Sequence, residues 1–232
     1  MPIYVRHKQV VVPGEILAEG KYNLEGGYYA IGKRYYSRVL GLTEVEKDKI
    51  KVIPLKGRYI PKENDIVIGK IIDVGMTNWT VDINSPYTAI LQVTEVFSKP
   101  TSISRSSLSS ILNVGDIIIA KVIAFDFTRD PLLTIKESKL GKISKGMVIE
   151  ITPSKVPRVI GKRGSMINLI KEMLKVNVIV GKNGRILVIG SKPEHEALAV
   201  MVIKKIEKEA HTTGLTDRVK SYITKMLSKE GE

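Results

Sequence analysis

The sequence predicts a multidomain fold in three parts: an all-β N-terminal domain over residues 1–61, a five-stranded barrel over residues 62–144, and an α/β domain with an extra C-terminal helix over residues 145–232. Two observations lead to this prediction. Short apolar runs of strand length, separated by glycine and proline, fill the first two parts. In the third part, apolar residues also recur at helical spacing. A chain of 232 residues has room for two or three such domains.

The N-terminal domain has short strand patterns that end at glycine or proline, as is typical of a small β structure. The run "KQVVVPGEIL" is typical of a strand broken by a Pro-Gly pair, and "KIKVIPLKGRYIP" gives another short strand that ends at a proline. Between them lie four tyrosines, Tyr28, Tyr29, Tyr35 and Tyr36. Tyrosines could stack on bases, but in short strands they more often fill a small core or a protein interface, and we favour that interpretation.

The middle part contains five strand patterns. They are "DIVIGKIIDVG", "NWTVDIN", "YTAILQVTEV", "GDIIIAKVIAFD" and "LLTIKES". Five strands of this length predict an OB-type barrel, whose loops beside the binding face often contact oligonucleotides. Residues 98–110 hold seven serines and one arginine, and this composition predicts a mobile surface loop.

The third part follows the order strand, helix, helix, strand, strand, helix. The strand "GMVIEIT" precedes a short helical turn that contains Pro157, and a helix is predicted from about Ser165 to Lys175. The run "VNVIVGKNGRILVIG" predicts a β-hairpin. Ser191 and Glu194 have the spacing of a capping box ahead of a long helix. A last amphipathic helix is predicted at about residues 216–228.

Charge is distributed unevenly along the chain, whose formal net charge is +13. Residues 1–61 carry 11 basic and 6 acidic side chains, residues 62–144 carry 9 of each, and residues 145–232 carry 17 basic and 9 acidic ones. The basic excess therefore lies at the two ends and is largest in the α/β domain. Such an excess favours a polyanionic partner, most simply a nucleic acid.

One four-residue motif has the pattern of a phosphate-binding loop. Gly161-Lys162-Arg163-Gly164 links two helical patterns, so the second helix offers free N–H groups and the positive end of its dipole there. Glycines allow a phosphodiester backbone to come close to the main chain. No acidic residue occurs from position 151 to 171. The predicted phosphate-binding residues are Lys155, Arg158, Gly161, Lys162, Arg163 and Gly164.

A second segment, Gly181-Lys182-Asn183-Gly184, has the same spacing of glycines but a different context. It lies between two β-branched runs, where Asn-Gly is a strong signal for a hairpin turn. We therefore interpret it as a structural turn.

The arrangement of the first loop, by contrast, is the one by which KH domains hold about four nucleotides of a single strand. Apolar neighbours such as Val159, Ile160 and Ile167 would line the groove for bases or hold the core.

Nothing in the sequence points to catalysis. Cysteine is absent, the three histidines are far apart, and the aspartates of the barrel have neither metal-ligand spacing nor a nucleophile motif around them. We therefore expect no catalytic residue, no metal and no cofactor. The chain has no apolar run long enough for a membrane span and no apolar leader at its N-terminus, so a cytoplasmic protein is expected.

Three sets of motifs carry a family resemblance. "VVPGEIL" with "KVIPLKGRYIPKENDIVIG" resembles the N-terminal domain of exosome cap subunits, and "GKIIDVGMTNWTVDINSPYTAILQVTEV" with "VGDIIIAKVIAFD" and "LLTIKES" resembles an S1 domain. "VIGKRGSMINLI" resembles a KH domain. In this order, the three modules resemble the archaeal RNA-binding exosome subunits of the ribosomal-RNA-processing-protein-four family. The second motif matches the G-x-N-G signature of that family, which is regarded as structural.

The resemblance implies a non-catalytic subunit of an RNA-degrading complex. It would belong to a trimeric cap, three copies on a ring of ribonuclease-PH-like subunits, that binds single-stranded RNA and directs it to the pore. Two alternatives stay open at this point. The chain could be another S1–KH regulator, such as a transcription factor, although those usually carry a second KH domain. Less favoured is a nuclease in its own right.

The S1-like barrel offers weaker candidates for RNA contact because its net charge is zero. Trp79, the lone tryptophan, could stack on a base or pack on a neighbouring domain, and both remain open. Arg105 and Lys121 are candidate phosphate contacts. Phe125 lies at a strand end, where a core or loop role is as reasonable as RNA contact.

Overall fold

The computed structural model describes residues 2–46, 49–55, 57–97, 105–210, 212 and 214–229, with the backbone alone for residues 105–107 and 229. The chain divides into two compact units, and the boundary falls between Gly57 and Arg58. The first unit is the N-terminal domain, and the second holds both the barrel and the α/β domain. No helix in these described stretches is long and apolar enough to cross a bilayer.

The first unit is all-β where it is described, as the sequence predicted. Its strands are β1 (Val10–Val11), β2 (Ile16–Glu19), β3 (Asn23–Gly26), β4 (Tyr28–Ile31), β5 (Arg34–Ser37), β6 (Gly41–Glu46) and β7 (Lys49–Pro54). One sheet has the order β1-β6-β7-β3, and the other has the order β2-β5-β4. Leu17, Ile50 and Val52 form the centre of a small core. Tyr28 and Tyr35 meet edge to face and pack against this core, so the core interpretation is confirmed for these two.

The second unit begins with a closed barrel. Its strands are β8 (Ile66–Val74), β9 (Asn78–Asp82), β10 (Thr88–Gln92), β11 (Ile117–Ala124) and β12 (Leu132–Thr134). They pair in the order β12-β10-β9-β8-β11, and β11 pairs with β12 to close the sheet. The predicted five-stranded barrel is confirmed. A further short strand, β13 (Gly141–Lys142), pairs with the start of β11.

The serine-rich segment contains a helix that the sequence analysis did not predict. Residues 98–104 lie outside the described residues, but Arg105–Ile111 forms helix α1. Leu108 and Leu112 are buried in the barrel core, and Ile111 packs against it. The prediction of a mobile loop is therefore wrong for residues 105–110. Three apolar residues at helical spacing are enough for a short helix when a barrel lies beneath them to receive them.

The α/β domain has the predicted order of elements. They are β14 (Met147–Glu150), α2 (Val156–Ile160), α3 (Ser165–Leu174), β15 (Val176–Val180), β16 (Arg185–Gly190), α4 (Pro193–Lys208) and α5 (Leu215–Lys229). The antiparallel sheet has the order β14-β16-β15. Successive residues of β16 point to opposite faces of the sheet. Ile186 and Val188 lie in the core between the sheet and the helices. Leu187 lies on the other face and packs against Ile68 and Ile119 of the barrel.

The predicted capping box ahead of α4 is wrong. Pro193 occupies the first turn of the helix, so the N-cap is Lys192 and no side chain caps the helix there. Ser191 lies one residue too early for that role. The Glu196 side chain instead accepts a hydrogen bond from the Gly190 amide at 2.7 Å, which ties the first turn of α4 to the end of β16.

The second glycine motif joins the α/β domain to the barrel. The Asn183 side chain is fully buried, and its amide nitrogen donates to the carbonyl oxygens of Ile68 and Ile83, both at 2.8 Å. Its amide oxygen accepts from the Ile68 N–H at 3.3 Å. The Lys182 N–H donates to the Ile66 carbonyl at 2.8 Å, and the Asn84 side chain donates to the Asn183 carbonyl at 3.0 Å. The motif is thus both the predicted hairpin turn and a contact between domains.

Arg185 strengthens the same contact. Arg185 is 8% exposed, and its guanidinium donates to the Asp82 carboxylate at 2.5 Å, to the Asp82 carbonyl at 2.7 Å and, within the α/β domain, to Glu150 at 2.8 Å. Burial raises the pKa of Asp82, but the hydrogen bonds from Arg185 and the Asn84 amide outweigh it, so the pKa of Asp82 lies below its usual value. The buried side chains of Asn183 and Arg185 therefore join the α/β domain to the barrel by hydrogen bonds to Ile68, Ile83 and Asp82.

Candidate nucleic-acid interface

The first glycine motif links the C-terminus of α2 to the N-terminus of α3. Gly161 follows α2 with φ +75°, and Gly164 is the N-cap of α3 with φ +81°. Between them Arg163 also has a positive φ, +54°, and the Gly164 N–H donates to the Gly161 carbonyl at 3.2 Å. The predicted helix–loop–helix context of this motif is confirmed.

Glycine is required at position 161 for reasons of space as well as backbone conformation. A Cβ atom there would lie 2.7 Å from the Met166 nitrogen and 2.8 Å from the Met166 Cβ, closer than real contacts allow. At Gly164 the nearest atom would lie 3.7 Å away, so only the positive φ favours glycine. The loop therefore keeps its main chain pressed against the first turn of α3.

The N-terminus of α3 has a positive electrostatic character. Its N-cap is a glycine, which offers no side-chain acceptor, and its first turn contains no acidic residue. The amide groups of a first helical turn have no partner within the helix, and the helix dipole places partial positive charge there. This end of α3 therefore favours an anionic group.

The basic side chains around the loop are available to a ligand. Lys162, Arg163 and Arg158 are exposed, and Lys155 is half-buried. Among the ion pairs of the described residues, none involves these four side chains. Their charges are therefore not neutralised within the chain, in contrast to Arg185, which is committed to two carboxylates.

A cavity of about 240 Å³ lies beside the loop and connects the two glycine motifs. Its lining includes Ile160 and Gly161 from the first motif and its helix, and Lys182 from the second motif. The Lys182 side chain is exposed and, like those of Lys162 and Arg163, forms none of the ion pairs found among the described residues. The sequence analysis missed Lys182, because nothing local distinguishes a lysine in a hairpin turn from one that faces a groove.

The structure separates the roles of the apolar neighbours. Val159 is fully buried in the core of the α/β domain, together with Met166 and Ile170. Ile160 and Ile167 are only half-buried, and Ile160 lines the cavity. Val159 therefore belongs to the core, whereas Ile160 remains available to a ligand.

Trp79 is not available for base stacking, so the hypothesis that it stacks on an RNA base is wrong. Its side chain is fully buried in the barrel core, and its indole N–H donates to the Leu112 carbonyl at 2.9 Å. Packing on a neighbouring domain, the other interpretation, does not hold either, because its partners belong to the barrel and to the segment around α1. A tryptophan on an inward-facing position of a small barrel fills the interior.

The structure gives a different result for each of the other residues of the barrel that the sequence analysis considered for RNA contact. Lys121 forms an ion pair with Glu137 at 2.8 Å and is 25% exposed, so it presents no free cation. Arg105 begins α1, but its side chain lies outside the described residues. Phe125 is half-buried and contacts the rings of Tyr87 and Phe127.

The acidic side chains of the barrel were examined as possible metal ligands where the structure describes side chains. These residues contain no group of three or more His, Asp or Glu side chains placed to hold a metal ion. Asp82 is paired with Arg185, and Asp126 accepts hydrogen bonds from Thr128 in a turn. Both aspartates therefore have structural partners within the chain.

Three family models match consecutive parts of the chain. The N-terminal domain of the exosome RNA binding protein RRP4 matches residues 8–56, the S1 domain of RRP4 matches residues 58–124, and a KH domain matches residues 146–193. The matched order is the one that the sequence resemblance indicated.

Relatives match over nearly the whole chain. The exosome complex component Rrp4 of Thermofilum pendens is 54% identical over 97% of this chain and 96% of its own length. That of Pyrococcus furiosus is 44% identical over 98% of this chain and 87% of its own length. A solved structure described as that of an exosome complex RNA-binding protein is 45% identical and covers 75% of this chain and 99% of its own, with a TM-score of 0.71. On this evidence the chain belongs to the Rrp4 family of exosome complex components.

Proposed function

We propose that this chain is a non-catalytic RNA-binding subunit of an exosome, one of three copies in a cap on a ring of ribonuclease-PH-like subunits. In this role it binds single-stranded RNA and directs the strand to the pore of the 3′–5′ exoribonuclease ring in the cytoplasm. The observation that carries the proposal is the loop Gly161–Gly164, with its unpaired cations, at the positive end of α3.

The geometry supports a clamp for the sugar-phosphate backbone. Phosphate oxygens accept hydrogen bonds from main-chain N–H groups near the glycines, and Lys162 and Arg163 neutralise the charge. The cavity beside Ile160 and Gly161 receives the base of a bound nucleotide, as the groove of a KH domain does. Because phosphate contacts carry no sequence information, affinity at this loop depends strongly on salt and weakly on sequence.

The N-terminal domain has the properties of an assembly surface. Val10, Val12, Ile31 and Leu40 are large apolar side chains of this unit that are between 46% and 63% exposed. Several large exposed apolar residues in a small domain are compatible with a protein interface. We assign this domain to contact with the ring, and the α/β domain to contact with RNA.

Co-purification tests the proposed function. When the chain is co-expressed with ring subunits, we expect it to co-purify with a ring that degrades RNA by phosphorolysis. The isolated chain is expected to bind single-stranded RNA without shortening it. Degradation by the isolated chain that an aspartate substitution abolishes would instead identify a nuclease. A stable monomer that binds RNA but never joins a ring would favour an independent S1–KH regulator.

Lys182 provides a test of the groove at single-residue level. Replacing Lys182 with alanine is expected to weaken binding of single-stranded RNA several-fold and to lower the magnitude of the salt slope, d log K/d log[salt], by about 0.7, because one phosphate contact is lost. The Lys182 N–H to Ile66 bond belongs to the main chain, so the fold is retained. Lys220→Ala, at an exposed position of α5, is the matched control. An unchanged slope would exclude Lys182 from the interface.

A further inference from the structure

The hairpin turn between β15 and β16 contains the one Asn-Gly pair of the sequence, Asn183-Gly184. Asparagine is thermolabile, and most so before glycine, whose main-chain nitrogen no Cβ atom shields. In deamidation, the Gly184 nitrogen attacks the Asn183 Cγ atom and a C–N bond forms. The proton of the Gly184 N–H passes through solvent base to the side-chain nitrogen, which leaves as ammonia. Water then opens the cyclic imide to aspartate or isoaspartate, without oxidation or reduction.

In the folded chain this reactive pair is enclosed and bonded to the barrel. The Asn183 side chain is fully buried, so water and base do not reach its amide. That amide donates to the carbonyls of Ile68 and Ile83 and accepts from the Ile68 N–H, and these bonds fix its direction. The nucleophile is engaged as well, because the Gly184 N–H donates to the Gly181 carbonyl at 3.2 Å. Cyclisation therefore requires the turn to leave the barrel.

Deamidation would destroy the contact that prevents it. The nitrogen lost as ammonia is the atom that donates to Ile68 and Ile83. Aspartate places a carboxylate against these two carbonyls and has no proton to donate. Isoaspartate lengthens the main chain of the turn, where space is limited: even a Cβ atom on Gly184 would lie 2.3 Å from the Ile151 carbonyl oxygen. Neither product restores the bonds.

We propose that Asn183-Gly184 is a latent deamidation site, which the contact between the barrel and the α/β domain keeps unreactive and whose reaction makes the opening of that contact permanent. The rate in the folded chain is then the rate in the open chain multiplied by the open fraction. Each hydrogen bond broken on opening lowers that fraction by about 2- to 12-fold. The bonds of Asn183, Lys182 and Arg185 to the barrel together lower it by at least about 100-fold. No step requires RNA, so the site is independent of the proposed function.

Peptide mass spectrometry of the full chain, folded and in urea, measures the reaction at mildly alkaline pH. In urea we expect Asn183 to react faster than every other asparagine, and in the folded chain to react at least about 100-fold more slowly. Ile31→Asn is the matched control, because it places a second Asn-Gly pair at an exposed turn. Ile31 is 63% exposed, and no atom lies within 4 Å of a Cβ atom placed on Gly32. Position 31 of this variant should react nearly as fast in the folded chain as in urea.

Two further variants open the contact by different amounts. Arg185→Ala removes the bonds to Asp82 and should raise the folded-state rate at Asn183 by about 10- to 100-fold. Asn84→Gly removes one bond to the Asn183 carbonyl and should raise this rate by about 2- to 12-fold. Glycine suits position 84, where φ is +55°. In urea, both variants should react at the rate of the native chain.

Exchange of the Ile68 amide hydrogen shows whether converted chains restore the contact after the urea is diluted. Converted chains that refold without protection of this amide would support the proposal, and restored protection would overturn it. The proposal is also overturned if Asn183 reacts slowly in urea, or reacts in the folded native chain as fast as position 31 of the control. It fails as well if neither Arg185→Ala nor Asn84→Gly changes the folded-state rate, because the barrel contact then does not protect the site.

Discussion

Asn183→Ala is expected to lower the free energy of unfolding of the barrel–α/β unit by about 3 kcal/mol. The substitution removes two donors and one acceptor from a fully buried side chain. The Ile68 N–H and the carbonyls of Ile68 and Ile83 then lose partners in the interior, where an unsatisfied polar group costs about 1–3 kcal/mol. Chemical denaturation, with exchange of the Ile68 amide hydrogen as a local readout, measures the loss.

The neighbouring residue supplies the control for this prediction. Lys182→Ala changes an exposed side chain in the same turn and keeps the main-chain bond to Ile66, so the stability should be that of the native chain within about 0.5 kcal/mol. Asn183→Asp keeps the shape but loses both donors and places a carboxylate against two carbonyls, so it should be at least as destabilising. Equal stability of Asn183→Ala and Lys182→Ala would contradict the role of Asn183 as a buried contact.

Lys162→Glu combined with Arg163→Glu is expected to reduce affinity for single-stranded RNA by about 100-fold at low salt, since two charge-assisted contacts are lost. Both side chains are exposed and outside the ion pairs of the described residues, so the fold should be unaffected. Fluorescence anisotropy with labelled oligoadenylate measures the affinity, and thermal unfolding checks the fold.

A charge-matched control distinguishes a specific clamp from general electrostatic attraction. Lys220→Glu combined with Lys225→Glu makes the same change in net charge on the exposed face of α5. When both double variants are compared at about 0.1 M salt, we expect this one to lose much less affinity, because screening then limits the reach of an exposed charge to about 10 Å. Equal losses for the two double variants would mean that only the net charge of the chain matters.

The sequence predicted those helices and strands that are indicated by residues close together in the chain. The strands of the barrel and of the α/β domain follow from apolar runs bounded by glycine and proline, and α5 follows from Val219 and Ile223 at helical spacing, both of them buried. The position of Gly161–Gly164 between two helices could also be predicted from the sequence, because apolar residues recur at helical spacing on both sides of the loop.

Features that depend on distant residues were not predictable in this way. Trp79 occupies a strand position whose inward direction is set by the closure of the barrel, not by its neighbours in sequence. Helix α1 exists because Leu108 and Leu112 find the barrel core. Asn183 bonds to Ile68, 115 residues earlier in the chain, so the hairpin signal revealed its turn but not its partner. Lys182 and Gly161 line one cavity, and the sequence likewise gave no sign that these two residues lie close together in space.

The salt dependence of RNA binding tests the central claim, that the loop Gly161–Gly164 holds RNA phosphate, most directly. Affinity for oligoadenylate is measured over a series of salt concentrations for the native chain and for Lys162→Glu/Arg163→Glu. Loss of two phosphate contacts should lower the magnitude of the slope of log K against log[salt] by about 1.4, together with the affinity. Identical slopes and affinities for the two proteins would contradict the claim.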